Sequence, residues 1–405
     1  MKIEVINTGS EILMGFVTNT HLGFMARELA PLGLRIDWQV CVPDGPPIAE
    51  AFDLALRRSR IILLTGGLGP TSDDMTRDVV AASLHRNLRR DEWLAGQLRE
   101  FFATRNLCLT ENNLVQAMVP EGARVLDNPH GTAPGLYLED GGRHIFLLPG
   151  PPRELKPMFV EKVLPILRDE LQLARPVSCH ILRTTGLGES ALARRIEPLV
   201  GHIRGLEIGY CARIQEVDLR FVGPDPGCVA EAAQIARQEF GRHVFTETNQ
   251  SLEEVVIALL AAAQKSVSTA ESCTGGLIAN RLTHVPGSSG VFHGGIVAYA
   301  NEVKTKLLGV RPETLQTQGA VSEATAREMA EGVRQILATD YALAATGIAG
   351  PDGGTEAKPV GLAYIALAAT AGTQVIECRH ATDRQTFKQA TSQSALDLLR
   401  RALLP

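Results

Sequence analysis

Residues 270–276 read AESCTGG and bring together a serine, a cysteine, a threonine and two glycines. A short β-type run at residues 266–269 precedes them, and a helical pattern begins at Leu277. This order predicts a strand-to-helix turn, in which Ser272 could attack a substrate beside unpaired N–H groups that hold an oxyanion. The alternative is that Ser272 or Thr274 only caps the new helix.

Two more strand-like runs, at residues 294–299 and 341–345, end in polar or small residues. Tyr299 and Lys304 follow the first run, and Thr346–Gly347 opens a glycine-rich turn after the second. An open α/β sheet collects such strand ends at the edge where its ligand crevice forms. A serine, a lysine held neutral and exposed amides in one crevice would suit hydrolysis through an acyl-enzyme.

Several multi-residue motifs in this half of the chain resemble one known family. The segments AESCTGGL, GSSGVFHGGIVAYANEVK, GAVSEATAREMAEG and ATGIAGPDGGTEAKPVG are similar to the C-terminal domain of the CinA family, the nicotinamide mononucleotide deamidases, over about residues 250–402. The resemblance implies hydrolysis of nicotinamide mononucleotide to nicotinate mononucleotide and ammonia, with Ser272 as nucleophile, Lys304 as base, Tyr299 beside them, and no cofactor. The residues that it implies for substrate binding are Thr274, Gly275, Gly276, Ser289, Thr346, Gly347 and Arg384.

Two of these residues have alternative interpretations. Arg384 suits a phosphate or carboxylate because its planar fork binds two oxygens, but it could also be a solvated arginine at a helix start. Cys273 adjoins Ser272 and could be a rival nucleophile. A cysteine would need a histidine or another activator, and the C-terminal motifs supply none, so Ser272 is favoured.

A second glycine-rich stretch follows a strand-like run at residues 60–64, which is apolar from Ile61 to Leu64 and predicts a central strand of a parallel sheet. Residues 66–76 read GGLGPTSDDMT. Glycines let phosphate approach backbone amides, and Asp73 with Asp74 could hold a divalent cation that bridges phosphate oxygens. The alternatives are a tight connection between elements and an aspartate pair that caps the following helix.

This stretch, with GTAPG at residues 131–135 and LPGPPRE at 148–154, resembles the molybdopterin-binding domain of the MoaB and MoeA families, in the variant found at the N-terminus of CinA proteins. Leu68 and Asp73 replace a threonine and an arginine of the pterin enzymes. The resemblance therefore implies hydrolysis of ADP-ribose at its pyrophosphate, supported by potassium and a divalent metal ion, either cobalt or a magnesium-like ion; molybdopterin binding is the alternative. Asp74 would be catalytic, Asp73, Asp74 and Glu11 would hold the metal, and the substrate-binding residues would be Gly66, Gly67, Gly69, Thr71 and Thr132.

Residues 171–250 alternate strand and helix patterns in a small α+β unit, whose CinA counterpart has a KH-type fold. An RNA-binding KH domain uses a G-x-x-G loop with basic flanks, and the TGLGE sequence at 185–189 does not supply one. The segment is therefore interpreted as a connector or dimer-forming element.

Length and composition fit this organisation. The 405 residues should hold two or three domains. The resemblances imply an α/β protein with a MoaB/MogA-like three-layer domain at 1–170, a KH-like connector at 171–250 and a CinA-type deamidase domain at 251–405. A net charge of −5 makes nucleic acid an unlikely partner. The seven cysteines are scattered, which predicts reduced thiols in a cytoplasmic protein. No apolar run is long enough to predict a membrane span. The protein is also expected to be a homodimer that binds small nucleotides. A non-catalytic nucleotide-binding accessory protein of competence or the DNA-damage response is the alternative function.

Overall fold

The structure is a computed structural model that describes residues 2–404. The chain forms two compact units, of which the first ends at Val177 and the second begins at Ser178. The second unit contains the predicted C-terminal domain and the predicted connector from Ser178 onward, while residues 171–177 belong to the first unit. No helix within residues 2–404 is long and apolar enough to span a membrane.

The first unit is built on a six-stranded sheet in the order β2-β1-β3-β8-β7-β6, with a separate β4-β5 pair. Its strands are β1 (Ile3–Thr8), β2 (Trp38–Val42), β3 (Ile61–Thr65), β4 (Leu88–Arg90), β5 (Met118–Pro120), β6 (Arg124–Leu126), β7 (Gly135–Asp140) and β8 (Arg143–Leu148). Its helices are α1 (Ser10–Leu13), α2 (His21–Leu29), α3 (Pro47–Arg58), α4 (Thr76–Ser83), α5 (Glu92–Thr104), α6 (Glu111–Leu114) and α7 (Pro152–Met158), with 3-10 turns at Ala30–Leu32 and Val115–Ala117 and π-helical turns at Phe159–Val163 and Ile166–Glu170.

The apolar run in β3 lies at the centre of this sheet, as predicted. β3 pairs in parallel with β1 on one side and β8 on the other. Alternate side chains enter two different cores: Ile62 and Leu64 join one cluster, and Ile61 and Leu63 join the other. Both faces of the strand are therefore buried, which explains why its first four positions are apolar.

The KH-like segment that follows has a four-stranded antiparallel sheet in the order β10-β11-β9-β12. Leu182, Leu219 and Phe221 of this sheet share a core with Ile196 and Phe240 of its two helices. The elements are β9 (Ser178–Thr185), α8 (Glu189–Val200), β10 (Glu207–Arg213), β11 (Glu216–Gly223), α9 (Pro226–Phe240), a 3-10 turn (Gly241–His243) and β12 (Val244–Thr246).

The rest of the second unit has a five-stranded sheet in the order β14-β13-β15-β16-β17, between two apolar clusters. Its strands are β13 (Val267–Glu271), β14 (Phe292–Val297), β15 (Tyr341–Gly347), β16 (Leu362–Ala369) and β17 (Gly372–Arg379). Its helices are α10 (Leu252–Ala262), α11 (Leu277–Thr283), α12 (Asn301–Leu308), α13 (Pro312–Thr317), α14 (Glu323–Leu337) and α15 (Arg384–Leu403), with a 3-10 turn at Ser288–Gly290. β13, β14 and β15 are parallel, so the three predicted strand ends do meet at one edge of the sheet.

Candidate active sites

The AESCTGG turn leaves the carboxyl end of β13 and leads into α11, as predicted. The amide of Ser272 donates to the carbonyl of Ala345 in β15 at 2.9 Å, which fixes the serine at the end of the parallel strands. Gly275 and Gly276 have φ values of 62° and 91°, which side chains rarely adopt, and they let the chain turn sharply into the helix. Ser272 is nearly buried, so a substrate would meet its hydroxyl in a confined space.

Neither Ser272 nor Thr274 caps the following helix, so the capping alternative is wrong. The N-cap residue of α11 is Gly276, which has no side chain that could accept a hydrogen bond from the helix amides. The Thr274 hydroxyl is buried without a hydrogen-bond partner within residues 2–404. The unpaired amides at the start of α11 nevertheless find an acceptor, which is a different side chain.

That side chain is Glu271, the last residue of β13. Its two carboxylate oxygens accept hydrogen bonds from the amides of Ile278 at 3.0 Å and Ala279 at 2.8 Å. Glu271 is only 1% exposed. The carboxylate therefore ties the strand end directly to the first turn of α11 and holds the intervening Ser272 turn in shape.

Lys304 is a buried amine that approaches the same strand ends from α12. It is 1% exposed, and its Nζ donates to the carbonyls of Ala298 at 2.9 Å and Tyr299 at 3.1 Å. The amide of Ala298 in turn donates to the carbonyl of Glu271, which places the amine beside the end of β13. Burial lowers the pKa of Lys304, and the neighbouring Cys273 partly opposes that shift. Within residues 2–404, no carboxylate forms a salt bridge with this lysine.

Tyr299 and Arg384 meet at the open side of this arrangement. Arg384 Nη2 donates to the Tyr299 hydroxyl at 2.8 Å, and its Nη1 donates to the carbonyl of Gly350 at 2.8 Å. The Tyr299 side chain is 61% exposed. Arg384 is exposed at the start of α15, as the alternative of a solvated arginine expects, and two neutral acceptors orient its guanidinium.

Thr346, Gly347 and Ser289 are also predicted to bind the substrate, and the structure gives each of them a different environment. The Thr346 hydroxyl is buried and donates to the carbonyl of Ala320 at 2.7 Å. Gly347 lies within β15, where a Cβ would come within 2.7 Å of the Leu362 carbonyl, so close packing alone explains a glycine there. Ser289 precedes β14 and therefore lies at the amino edge of the sheet, opposite the Ser272 turn. Within one chain, the structure does not bring Ser289 to the other predicted residues.

Cys273 lies next to Ser272 but is buried in the apolar core. Burial is the main cause that raises the pKa of its thiol to about 12. A thiol that stays protonated at neutral pH is a poor nucleophile. The geometry thus favours Ser272 over Cys273, in line with the reasoning from sequence.

The glycine-rich stretch of the first unit borders a cavity of about 510 Å³. Nearly all the residues predicted for this site line it, namely Gly66, Gly67, Gly69, Asp73, Asp74, Glu11 and Thr132. Thr71 does not line the cavity. Its amide and hydroxyl instead donate to the carboxylate of Asp74. These residues are distant in the sequence, but they follow strands that are neighbours in one sheet, and this is why the prediction could group them.

Asp74 shapes the loop that carries it. One of its oxygens accepts the Thr71 amide at 2.9 Å, and a Cβ on Gly69 would lie 2.4 Å from that same oxygen. The loop can close around the carboxylate only because residue 69 is a glycine. The helix α4 begins at Thr76 with Met75 as its N-cap and no side-chain cap, so the alternative of an aspartate capping pair is wrong.

Sequence reasoning missed several polar side chains of this cavity, among them Asp44, Gln116 and Glu154. Asp44 accepts hydrogen bonds from the amide and hydroxyl of Ser10. Glu154 is buried and accepts from Asn128 at 2.9 Å. A signal for Glu154 was present, because it ends the LPGPPRE motif.

Fold and sites together define a multidomain α/β protein with two glycine-rich crevices, separated along the chain by an antiparallel α+β domain. Family models match the same three segments: "Probable molybdopterin binding domain" at residues 4–169, "Damage-inducible protein CinA KH domain" at 180–246 and "CinA C-terminal domain" at 249–403. A "CinA-like protein" of Akkermansia muciniphila is 43% identical over 399 residues, which are 98% of this chain and 96% of that protein. The chain belongs to the CinA family.

A second relative of full length agrees with this assignment, and one solved structure is similar to part of the chain. A "CinA-like protein" of Kosmotoga olearia is 42% identical over 412 residues and covers 100% of both chains. The crystal structure of the competence/damage inducible protein CihA from Agrobacterium tumefaciens is 45% identical with a TM-score of 0.37, and the match covers 38% of this chain and 93% of that one.

Proposed function

We propose that the C-terminal domain hydrolyses the amide of nicotinamide mononucleotide to give nicotinate mononucleotide and ammonia. The observation that carries this proposal is the amine of Lys304, which is buried beside the Ser272 turn without a carboxylate partner. Its lowered pKa favours the neutral form that can accept a proton. A serine beside such an amine is the arrangement that acyl transfer needs.

In the first half of the reaction, Ser272 Oγ attacks the amide carbon of the substrate and its proton passes to Lys304 Nζ. The carbonyl oxygen becomes an oxyanion, for which the amide of Gly276 is a candidate donor because it has no acceptor within residues 2–404. The intermediate then collapses. The bond to the amide nitrogen breaks, Lys304 returns the proton to that nitrogen, and ammonia leaves an ester on Ser272.

In the second half, Lys304 takes a proton from water as the water oxygen attacks the ester. When this second intermediate collapses, the serine oxygen leaves and recovers the proton from Lys304. The product is nicotinate mononucleotide, whose new carboxylic acid group releases its proton to solvent and becomes a carboxylate. Both halves use the same pair of side chains and require no cation.

Release of ammonia from nicotinamide mononucleotide tests this function directly. We expect one ammonia for each nicotinate mononucleotide formed by the purified protein. A non-catalytic accessory protein of the competence or DNA-damage response would bind nucleotides and release none. Binding without ammonia would therefore reject the enzyme in favour of that alternative.

For the N-terminal domain, we propose metal-dependent hydrolysis of ADP-ribose at its pyrophosphate. The supporting observation is that carboxylates and a glycine turn line the same cavity: Glu11, Asp73 and Asp74 lie together with Gly66 and Gly67. Backbone next to glycine can approach phosphate oxygens, and carboxylates suit a hard cation that bridges them. Tight molybdopterin binding without ADP-ribose hydrolysis would favour the alternative function instead.

The donor set fits a cation that the substrate helps to hold. Within residues 2–404, no three His, Cys, Asp or Glu side chains lie close enough together to bind a metal by themselves. Magnesium-like ions commonly use one or two carboxylates and complete their shell with water and substrate phosphates. When bound, such an ion would neutralise charge that develops on the phosphate oxygens. One or two of the carboxylates of Asp73, Asp74 and Glu11 would supply its protein ligands, and the glycine turn would orient the pyrophosphate.

Replacing Asp74 by asparagine should lower ADP-ribose hydrolysis by about 100-fold or more, because a neutral amide is a much poorer ligand for a hard cation. Deamidation by the same preparation should be unchanged, since Ser272 and Lys304 lie in the other compact unit. Chelator should silence only the ADP-ribose reaction. Asp53→Asn, on the exposed side of α3, is the matched control. Chelator-sensitive ammonia release would argue against the serine mechanism.

Replacing Glu271 by glutamine should slow deamidation by about 10-fold and destabilise the second unit by about 1–3 kcal/mol. Glutamine has one acceptor oxygen, and its NH₂ group would face an amide donor of α11. Measurements of kcat and of urea unfolding would check both effects. Glu302→Gln, an exposed acid in the first turn of α12, should change neither. Full activity of the Glu271 variant would mean that the turn holds its shape without the carboxylate.

A further inference from the structure

Arg384 and Lys388 lie one helical turn apart at the start of α15. Side chains four residues apart project from the same face of a helix, and this face carries Arg384 to Tyr299 and Lys388 to the Ser272 turn. A Cβ built on Gly275 would lie 3.5 Å from Lys388 Nζ. The two cations therefore border the turn that carries the proposed nucleophile.

Lys388 is half-buried and forms neither a hydrogen bond nor an ion pair within residues 2–404. Among the described residues, the guanidinium of Arg384 donates to two neutral acceptors, the Tyr299 hydroxyl and the Gly350 carbonyl. The Lys388 ammonium therefore has three N–H donors that no acceptor within residues 2–404 uses, and it lies close to the guanidinium of Arg384 on the same helix face. Two cations on one face with free donors favour an anion at this position.

The acids of this region are already engaged by backbone amides. Asp383 caps α15 by accepting the amides of Gln385 and Thr386. Glu271 accepts those of Ile278 and Ala279. Within residues 2–404, no carboxylate forms a salt bridge with Arg384 or Lys388, so the positive charge at the mouth is left unpaired by this part of the chain.

The geometry points to Lys388, together with Arg384, as the binding position for the phosphate monoester of the substrate. A phosphate has enough oxygens to accept from the ammonium and the guanidinium at once. Gly275 adds to this because its missing side chain leaves the space in front of Lys388 Nζ open. This inference rests on the proposed deamidase function and makes that site specific for nucleotides over nucleosides.

Comparison of nicotinamide mononucleotide with nicotinamide riboside, which lacks the phosphate, tests the inference. Lys388→Met should lower kcat/KM for the mononucleotide by about 10- to 100-fold, mainly through KM, because it loses a charged hydrogen bond. The riboside should react at the same rate with both proteins, and Lys388→Arg should restore most of the preference for the mononucleotide. Lys306→Met, on the exposed side of α12, is the matched control and should alter neither substrate.

Binding of ribose 5-phosphate, measured by calorimetry, separates this inference from the proposed reaction. Weaker binding to Lys388→Met than to the unaltered protein would support the phosphate position even if no ammonia were released, and the reaction would then be the part that fails. Equal loss of activity towards the mononucleotide and the riboside would overturn the inference, because Lys388 would then act on the turn. Unchanged binding of ribose 5-phosphate would overturn it as well.

Discussion

Replacing Ser272 by alanine should lower ammonia release from nicotinamide mononucleotide by about 10³-fold or more, because no other group can form the acyl-enzyme. The substitution removes a single oxygen. The main-chain bond from residue 272 to Ala345 and the Glu271 bridge to α11 do not depend on that oxygen, so the turn should keep its shape. Steady-state ammonia release measures the loss, and ADP-ribose hydrolysis by the same preparation reports that the rest of the protein is intact.

The neighbouring cysteine supplies the control for this prediction. Cys273→Ala should keep most of the deamidase activity, since the buried thiol has its pKa raised to about 12 and remains protonated. An active Ser272→Ala enzyme together with an inactive Cys273→Ala enzyme would identify the cysteine as the nucleophile. Loss of ADP-ribose hydrolysis in a folded Ser272→Ala protein would contradict the assignment of two separate sites.

Sequence could predict both crevices because each follows from strong local patterns. The apolar run that became β3 had to be a strand buried on both faces, and a glycine turn after such a strand lies at the carboxyl edge of a parallel sheet. The same reasoning placed the turn at Ser272 and the lysine at 304 near one another. These predictions needed only the period of the pattern and the direction of the strands.

The supporting side chains could not be predicted in this way, because their partners are distant or depend on exact backbone geometry. Glu271 looks like a turn residue in the sequence, yet β13 extends to it and its carboxylate reaches two amides in the next helix. Lys388 comes to Gly275 only through the packing of α15 against the sheet. Ser289 shows the converse, because its motif is close to the others in sequence while the direction of β14 places it at the opposite edge.

Replacing Lys304 by arginine should abolish deamidation, because a guanidinium keeps its proton at any workable pH and cannot act as a base. In the unaltered enzyme, burial lowers the pKa of Lys304 from its ordinary value of 10.5. Only the neutral amine accepts a proton and its fraction increases with pH, so the rate should rise with pH and level off above that depressed pKa.

The competing explanation is that Lys304 stays charged and binds the substrate phosphate, while Tyr299 or a water acts as base. Arginine would then preserve much of the turnover, and alanine would mainly raise KM. The structure favours the base, since the amine donates to two carbonyls inside the protein while the Tyr299 hydroxyl lies at the exposed mouth with Arg384. Lys304→Met, which is similar in length and neutral at every pH, should be as inactive as the arginine variant. An active arginine variant would reject Lys304 as the base and leave Ser272 as the nucleophile.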